Sequence, residues 1–498
     1  MFFSEIMKVV LVWPYGFDPI YTMPLSLGYL KSNTSNSKHD LQLINCSLLK
    51  LNAASPEFKK KLRELNPNVV GVSCWSPTYE ESLQVLKTAK EINEKIITTM
   101  GGVHPTAYPD AIMKHNFVDF VFRGESELSF PIFLEELQKE APDWSKVKGL
   151  VYRSEGSGIV KSAIVKNEME REKDLDKINF PDYDAMRLQD YINTGYKFHT
   201  NYKMNAPVWT TRGCPYRCAY CTAPLQNGKL VRTHSIKYMV EWIKSLYYKE
   251  GIRLVNIIDD NFTFNIDYAK EFCKAMISLN LKDLRFGIPS GIRIQRTDVE
   301  LFHLMKQAGF EYLTIAPESG SAAVLNRMKK DLDLRIIPQK VKEIKEAGLK
   351  VHGLFIIGYP GETEEDLKKT VKLIRDCKFN FFFLSNFQPL PGTPVYDELV
   401  KSGDIAEGLL PKHYSSGERV YTPKELKNFN FSLFVIRQYV HLAISQPLNI
   451  PYMLKVISPK MIVERVYTNV MNMFNHNMEN SKEQTFQEEI NSSTPLTI

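Results

Sequence analysis

The sequence lacks the marks of a membrane, secreted or nucleic-acid-binding protein. No run of about 18 uninterrupted apolar residues occurs, so we predict no transmembrane helix. Residues 1–12 are too polar and too short for a secretory signal. Basic and acidic residues nearly balance, 63 against 57, and no arginine-rich tract suggests a nucleic-acid partner. We therefore expect a soluble, cytoplasmic protein of two or three domains, and peripheral contact with a membrane stays open.

Cysteine is scarce, at seven among 498 residues. The odd number and the missing secretory signal argue against a disulfide framework. Three of the seven still fall within eight residues, at Cys214, Cys218 and Cys221. Three thiolates in one C-x3-C-x2-C run can bind three irons of a cubic four-iron four-sulfur cluster and leave the fourth iron open. A structural zinc site would need a fourth ligand, and His234 and Cys273 do not stand at zinc-site spacing.

The cysteine run, with the aromatic Tyr220 before its last cysteine, resembles the signature of the radical S-adenosylmethionine (SAM) enzymes. The resemblance implies that SAM chelates the open iron and that an electron splits it into methionine and a 5′-deoxyadenosyl radical. It gives Cys214, Cys218 and Cys221 both the metal-binding and the catalytic role. It also implies an external electron donor of the flavodoxin or ferredoxin type. No further cysteine cluster follows, so we do not expect a second iron–sulfur cluster.

The first 145 residues alternate short apolar runs with amphipathic stretches. We predict five strands with helices between them, at residues 8–13, 41–46, 69–74, 96–100 and 117–122. Continuous apolar strands spaced by helices are typical of a parallel, doubly wound, Rossmann-like α/β sheet. In such sheets ligands bind outside the carboxyl ends of the strands.

Two loops at those strand ends carry recognisable elements, G-G-x-H-x-T at 101–106 and R-G-E-x-E at 123–127. Each alone could be an ordinary turn, but together they resemble the cobalamin-binding domain that precedes the radical domain in many radical SAM enzymes. The resemblance implies that Gly101, Gly102 and His104 contact cobalamin. The chain has no Asp-x-His, and so lacks the D-x-H-x-x-G motif that ligates cobalt from below. Bound cobalt should therefore lack a histidine on its lower face.

Residues 201–398 show six repeats of a strand followed by a helix, which predicts a partial (β/α)6 barrel with functional residues at the carboxyl ends of its strands. Five segments after those strands match the radical SAM family, at 259–261, 290–293, 317–321, 358–363 and 388–394. The resemblance places six residues around SAM: Asp259, Arg293, Glu318, Ser319, Gly358 and Gly361.

Each of these segments also has a structural interpretation. Asp259 could be a solvated carboxylate and Glu318 a carboxylate satisfied by backbone amides. In the 358–363 turn, Thr363 could cap the following helix while Glu362 turns inward.

The other segments carry fewer signals. We predict a hairpin and linker over 146–200, with hairpin arms near 149–153 and 158–161. Residues 399–475 should form a helical region, either a cap on the barrel or a surface that meets a greasy substrate or a membrane. Residues 476–498 are rich in Asn, Glu and Ser and are predicted to be disordered.

The leading hypothesis is a cobalamin-dependent radical SAM enzyme with three cofactors, a 4Fe-4S cluster, SAM and cobalamin. It would transfer a methyl group to an unactivated carbon of a small-molecule or lipid-like substrate that the sequence does not identify. The first alternative is oxidation or cyclisation of the anaerobic magnesium-protoporphyrin ester cyclase type. The second is a cobalamin- or cluster-binding sensor without catalysis, against which the SAM-site carboxylates argue.

Overall fold

The computed structural model describes residues 6–19, 22–35, 39–154, 163–196, 202–411 and 419–456. The predicted tail at 476–498 and the predicted second hairpin arm at 158–161 lie outside these ranges. Within them, two parallel sheets form the centres of two domains, as the sequence predicts.

The amino-terminal sheet has seven strands in the order β2-β1-β3-β4-β5-β6-β7. Strands β1 to β5 run parallel, and β6 and β7 are antiparallel additions. The order 2-1-3-4-5 is that of a doubly wound sheet, with its topological switch point between β1 and β3. The bounds are β1 Lys8–Trp13, β2 Asp40–Asn45, β3 Val69–Ser73, β4 Ile97–Gly101, β5 Phe120–Phe122, β6 Leu150–Arg153 and β7 Ile164–Lys166.

Helices cover both faces of this sheet. Because side chains alternate along a strand, Val10 and Val12 of β1 enter one core while Val9 and Leu11 enter the other. Helices α3, α4 and α6 supply residues to the first core, and α1 and α7 supply the second. The bounds are α1 Leu25–Thr34, α2 Cys46–Leu49, α3 Pro56–Leu65, α4 Tyr79–Ile92, α5 Val103–Ala107, α6 Pro109–Met113 and α7 Ser129–Leu137.

The structure has a hairpin in this segment, and its first arm, β6, coincides with the predicted arm near 149–153. Its second arm is β7 at Ile164–Lys166, which pairs with Val151, Tyr152 and Arg153 of β6. Because β6 also pairs with β5, the hairpin continues the amino-terminal sheet past residue 145. The linker that follows contains one helix, α8 Leu188–Thr194.

The second sheet has six parallel strands in the order β15-β14-β13-β12-β11-β8, the predicted partial barrel. A two-stranded ribbon of β9 and β10 lies beside it. The bounds are β8 Asn205–Val208, β9 Thr211–Arg212, β10 Arg232–Thr233, β11 Leu254–Ile257, β12 Arg285–Ile292, β13 Phe310–Glu318, β14 Lys350–Ile357 and β15 Phe381–Asn386.

Strands β12 and β13 continue past the predicted ends at 288 and 315. Ser290, Gly291, Pro317 and Glu318 therefore lie in strands, not in the loops after them. The pairing of both strands shifts in register at these positions. The polar and glycine residues there are typical of loops, so the sequence pattern ends each strand too early.

Helices of the barrel domain alternate with its strands, and α16 crosses the predicted domain boundary at residue 398. The bounds are α9 Ala223–Asn227, α10 Ile236–Tyr248, α11 Ile266–Leu279, α12 Val299–Gln307, α13 Ala322–Arg327, α14 Ile337–Glu346, α15 Glu364–Cys377 and α16 Pro394–Lys401.

Both edges of the open barrel are covered. At β8, Trp209 stacks on Tyr29 of the amino-terminal domain at 5.8 Å between ring centroids. At β15, Tyr439 of α17 stacks on Phe382 at 5.2 Å, and its hydroxyl donates to the Phe382 carbonyl. The described carboxyl-terminal helices are α17 Phe431–Ser445 and α18 Ile450–Val456. No helix in the described part of the chain is both long and apolar enough to cross a membrane.

Candidate active site

The three cysteines lie in one loop between β9 and β10. Strands β9 and β10 pair through Arg212 and Arg232, which closes the base of the loop. Inside it, the Gly213 amide donates to Asp260 Oδ2 at 3.0 Å and the Cys214 amide donates to the Gly228 carbonyl at 3.0 Å. A side chain at Gly213 would place a Cβ 2.3 Å from the Leu230 carbonyl oxygen, so only glycine allows this turn.

The three thiols are half-buried and suit a cluster by their donor chemistry. Burial raises the pKa of Cys221 to about 12 and raises that of Cys214, so these thiols are neutral until a metal displaces their protons. Among the described residues, no three His, Cys, Asp or Glu side chains already converge on one metal-sized point. A cubic cluster carries each cysteine on a different iron, so it does not require the sulfur atoms to touch.

Glu318 lies close to this loop, at the carboxyl end of β13. Its Oε1 accepts from the Tyr220 hydroxyl at 2.8 Å and from Lys330 Nζ at 2.9 Å. Its φ of +65° lies in the left-handed region, which is strained for a glutamate. Such strained backbone conformations cluster at functional sites. Both donors engage Oε1, which leaves Oε2 for a ligand. Glu318 is thus tied to the residue that directly precedes Cys221.

Arg293 follows β12 and also points toward the cysteine loop. Its guanidinium stacks on the Tyr216 ring at 3.6 Å, and Nη1 donates to the Lys330 carbonyl. Its Nε and Nη2 groups are buried and have no hydrogen-bond partner among the residues that the structure describes. Unpaired buried donors are costly, so a site like this fits an anion such as the carboxylate of SAM.

Asp259 does not have the surroundings predicted for it. It is buried, and its two oxygens accept four hydrogen bonds, from the amides and hydroxyls of Thr210 and Thr211. These bonds tie the end of β11 to the β8–β9 turn, so the carboxylate is neither solvated nor turned toward an open site. The neighbouring Asp260 is the carboxylate that reaches the cysteine loop, through Gly213 and Asn227. Two adjacent aspartates cannot be told apart on sequence.

Ser319 packs against α15, and the 358–363 turn leads into the start of that helix. The Ser319 hydroxyl lies 3.2 Å from Thr370 Oγ1, and Gly358 and Gly361 face Phe431 and Arg327.

The capping interpretation of this turn is confirmed. Thr363 and Asp366 form a capping box at the start of α15. Glu362 is fully buried and accepts from the amides of Gly358 and Tyr359. The predicted contacts of Ser319, Gly358 and Gly361 with SAM stay predictions.

The predicted cobalamin-binding residues Gly101, Gly102 and His104 lie at the end of β4 and directly after it. His104 is buried against Tyr79, with Nδ1 3.2 Å from Ser76 Oγ. Burial lowers the pKa of His104 to about 4, so the imidazole is neutral at pH 7. Gly102 has φ +119°, and a Cβ there would lie 2.5 Å from the Cys74 carbonyl oxygen. The Cys74 carbonyl therefore already requires glycine at 102, and the predicted contacts of Gly101, Gly102 and His104 with cobalamin stay predictions.

The sequence did not reveal how the two domains meet. Thr106 Oγ1 lies 3.0 Å from Gln226 Oε1, and Gln226 Nε2 donates to the Gly124 carbonyl at 2.8 Å. Gln226 belongs to α9, directly after the cysteines. The R-G-E-x-E loop adds ion pairs from Glu125 and Glu127 to Arg232 and Arg212. The G-G-x-H-x-T and R-G-E-x-E elements thus contact the cysteine loop itself. In the sequence, the order of these elements along the chain was the only sign of this contact.

A three-thiol loop at the mouth of a partial barrel, beside a doubly wound domain, defines a two-domain radical enzyme. The Radical SAM superfamily model matches residues 209–374, and the B12 binding domain model matches residues 21–134. An uncharacterized methyltransferase of Pyrococcus horikoshii is 30% identical over 404 residues, 79% of this chain and 83% of that protein. The chain belongs to the radical SAM enzymes with a B12-binding domain, whose cofactors are a 4Fe-4S cluster, SAM and cobalamin.

Other relatives and solved structures agree on the architecture. Cytidylyl-2-hydroxyethylphosphonate methyltransferase of Streptomyces wedmorensis is 26% identical and aligns over 80% of this chain and 82% of its own length. The radical SAM methyltransferase TsrM of Kitasatospora setae superposes with a TM-score of 0.66 at 16% identity, over 80% of this chain and 76% of that one. The cobalamin-dependent radical SAM enzyme OxsB superposes with a TM-score of 0.70 at 16% identity, over 95% and 71%. At these identities the two structures show the shared fold.

Proposed function

We propose that this enzyme transfers a methyl group to an unactivated carbon of a small-molecule substrate. When bound, the cluster supplies the electron that cleaves SAM, and cobalamin supplies the methyl group. The two relatives named as methyltransferases, which align over 79% and 80% of this chain, support methyl transfer. The electron would come from an external flavodoxin- or ferredoxin-type protein, because the other four cysteines of the chain are single and buried.

One observation carries the proposal, the direct contact between the two cofactor-binding regions. The loops after β4 and β5 meet α9 through the side-chain amide of Gln226. The loop after β4 also reaches α16, where Tyr108 packs on the Tyr396 ring at 6.1 Å. A methyl donor and a radical source must act on one substrate, and this contact supports a site shared between the domains.

The described residues have defined tasks in this proposal. The thiols of Cys214, Cys218 and Cys221 bind the cluster. Arg293 offers two buried N–H donors to the carboxylate of SAM. Glu318 offers Oε2 to SAM as a hydrogen-bond acceptor, while its Oε1 is held by Tyr220 and Lys330. Fixing these side chains before SAM arrives lowers the cost of ordering it.

The test is anaerobic incubation of the purified protein with hydroxocobalamin, a strong reductant, a small-molecule cell extract and SAM whose methyl group is deuterated. We expect 5′-deoxyadenosine, S-adenosylhomocysteine and a product that carries the deuterated methyl group, none of them from Cys214→Ala. Formation of 5′-deoxyadenosine without S-adenosylhomocysteine would contradict methyl transfer.

That second outcome would favour oxidation or cyclisation. One specific observation keeps this alternative in view. The anaerobic magnesium-protoporphyrin IX monomethyl ester cyclase of Cereibacter sphaeroides is 26% identical over 69% of this chain, although the alignment covers only 55% of that enzyme. The two methyltransferase relatives described above align over 83% and 82% of their own length, which favours methyl transfer.

A further inference from the structure

Four buried charges join the amino-terminal domain to the base of the cysteine loop. Arg212 Nη1 donates to Glu127 Oε1 at 2.7 Å and lies 3.7 Å from Glu125 Oε2. Arg232 binds Glu125 with both Nη groups, at 2.8 Å for Nη1 to Oε2. The side chains of the two arginines are 3% exposed and those of the glutamates 7% and 10%. We name this set of four residues the clamp.

The clamp holds both ends of the segment that carries the cysteines. Arg212 directly precedes Gly213, and Arg232 pairs with Arg212 across the β9–β10 ribbon. Arg232 Nη2 also donates to the Asn227 carbonyl at the end of α9, and its Nη1 donates to the Glu172 carbonyl in the linker. The loop geometry is therefore set by carboxylates from another domain as well as by its own strands.

Stability alone does not account for this arrangement. A buried ion pair is often no more stabilising than an apolar pair of the same volume, whereas loss of one partner leaves an unpaired buried charge. What three directional charge-assisted hydrogen bonds between these residues do supply is a fixed orientation. Aromatic rings reinforce it, since the Arg212 guanidinium lies 4.9 Å from the centre of the Tyr29 ring and 5.1 Å from that of Trp209.

We infer that Glu125 and Glu127 are positioning residues, which hold the cysteine loop in its working geometry from the cobalamin-binding domain. The inference rests on the proposed function, because that function requires the loop to carry the cluster. It makes radical generation depend on correct docking of the two domains. A loop released from the clamp would still contain three thiols but would present them to the cluster and SAM in the wrong orientation.

The test uses the full-length protein and two single variants, Glu127→Gln and Glu125→Gln, which keep side-chain volume and remove charge. The matched control is Glu136→Gln, a buried glutamate of the same domain that pairs with Lys139 and lies outside the clamp. Hydrogen exchange of residues 213–231 in the cofactor-free protein is the first readout. We expect exchange at least about tenfold faster in both clamp variants and unchanged in the control.

The second readout is made on the reconstituted protein with SAM and dithionite. We expect an altered electron paramagnetic resonance spectrum of the reduced cluster with SAM bound. The rate of 5′-deoxyadenosine formation should fall by at least about tenfold at saturating SAM, the scale of a small misplacement of reacting groups. Wild-type exchange and cleavage rates in both clamp variants, or equal losses in Glu136→Gln, would overturn the inference.

A third variant covers the case in which the clamp variants do not fold. Gln226→Ala leaves all four clamp charges paired and removes the bridge to Thr106 and Gly124. It should therefore speed hydrogen exchange in residues 213–231 by a smaller factor than the clamp variants do. Unchanged exchange there would count against the inference. Failure of the proposed methyl transfer is distinguishable, because the wild-type protein itself would then form 5′-deoxyadenosine without S-adenosylhomocysteine, whatever the clamp variants do.

Discussion

Replacement of Gly102 by alanine should destabilise the amino-terminal domain strongly. Gly102 has φ +119° and ψ −168°, a region that only glycine occupies readily. The new Cβ would lie 2.5 Å from the Cys74 carbonyl oxygen. That oxygen cannot move away easily, because the Cys74 amide donates to Gly101 and its carbonyl accepts from the His104 amide. Strain and overlap together should lower the free energy of unfolding by about 2 to 4 kcal/mol.

The adjacent glycine supplies the control. A Cβ at Gly101 would meet only the Phe122 Cβ at 3.6 Å, an ordinary contact, so Gly101→Ala should change stability by less than about 1 kcal/mol. The assay is thermal unfolding of the cofactor-free protein, where Gly102→Ala should lower the first transition by on the order of 5 to 10 °C. If both variants unfold at the same temperature, the argument from the Cys74 carbonyl is wrong, and a ligand is the better reason for the glycine.

Three further predictions concern the barrel domain. Alanine at Cys214, Cys218 or Cys221 should abolish the visible charge-transfer absorbance of the reconstituted protein and all SAM cleavage; a triple variant that still forms 5′-deoxyadenosine would disprove the cluster assignment. Glu318→Gln should weaken SAM binding by about tenfold in anaerobic calorimetry while iron content stays unchanged, and unaltered affinity would make this carboxylate purely structural. Burial raises the pKa of Glu362 to about 7, above its value in the unfolded chain, so the contribution of Glu362 to stability should fall by about 3 kcal/mol as pH rises from about 4.5 to 7. Glu362→Gln should remove that contribution, so in pH-dependent denaturant unfolding the variant should lose about 3 kcal/mol less stability than the wild type over this range, and an equal loss would show that other groups cause it.

Local sequence signals predicted the elements of the fold well. The run Lys8-Val-Val-Leu-Val-Trp13 is a strand with both predicted ends, because continuous apolar β-branched residues suit a buried strand and little else. Thr363 could be read as a helix cap because its partner Asp366 lies three residues away. Where a polar or glycine residue continues a strand, as at Ser290 and Gly291, composition points to a loop and the prediction ends too early.

The candidate site was only partly predictable, for a physical reason. Cys214, Cys218 and Cys221 could be found because the ligands of one cluster are close in sequence. Glu125 and Arg232 are 107 residues apart, and no spacing rule links two charges that meet only after two domains dock. The partners of Asp259 depend on which way a turn of Thr210 and Thr211 faces, which a linear pattern does not encode.

The covered edges of the barrel bear on how the chain can fold and be divided. Six strands without closure leave two rows of unpaired backbone groups, which would otherwise recruit strands from other molecules. One row is shielded by a segment that precedes the barrel and the other by α17, which follows it. During synthesis the barrel therefore cannot be fully protected until residue 445 has left the ribosome, while the amino-terminal sheet can already be complete. An excised fragment covering only the radical domain should aggregate. If either flanking region is exchanged between relatives, the new region would need to shield the exposed strand edge as well as form a suitable substrate pocket.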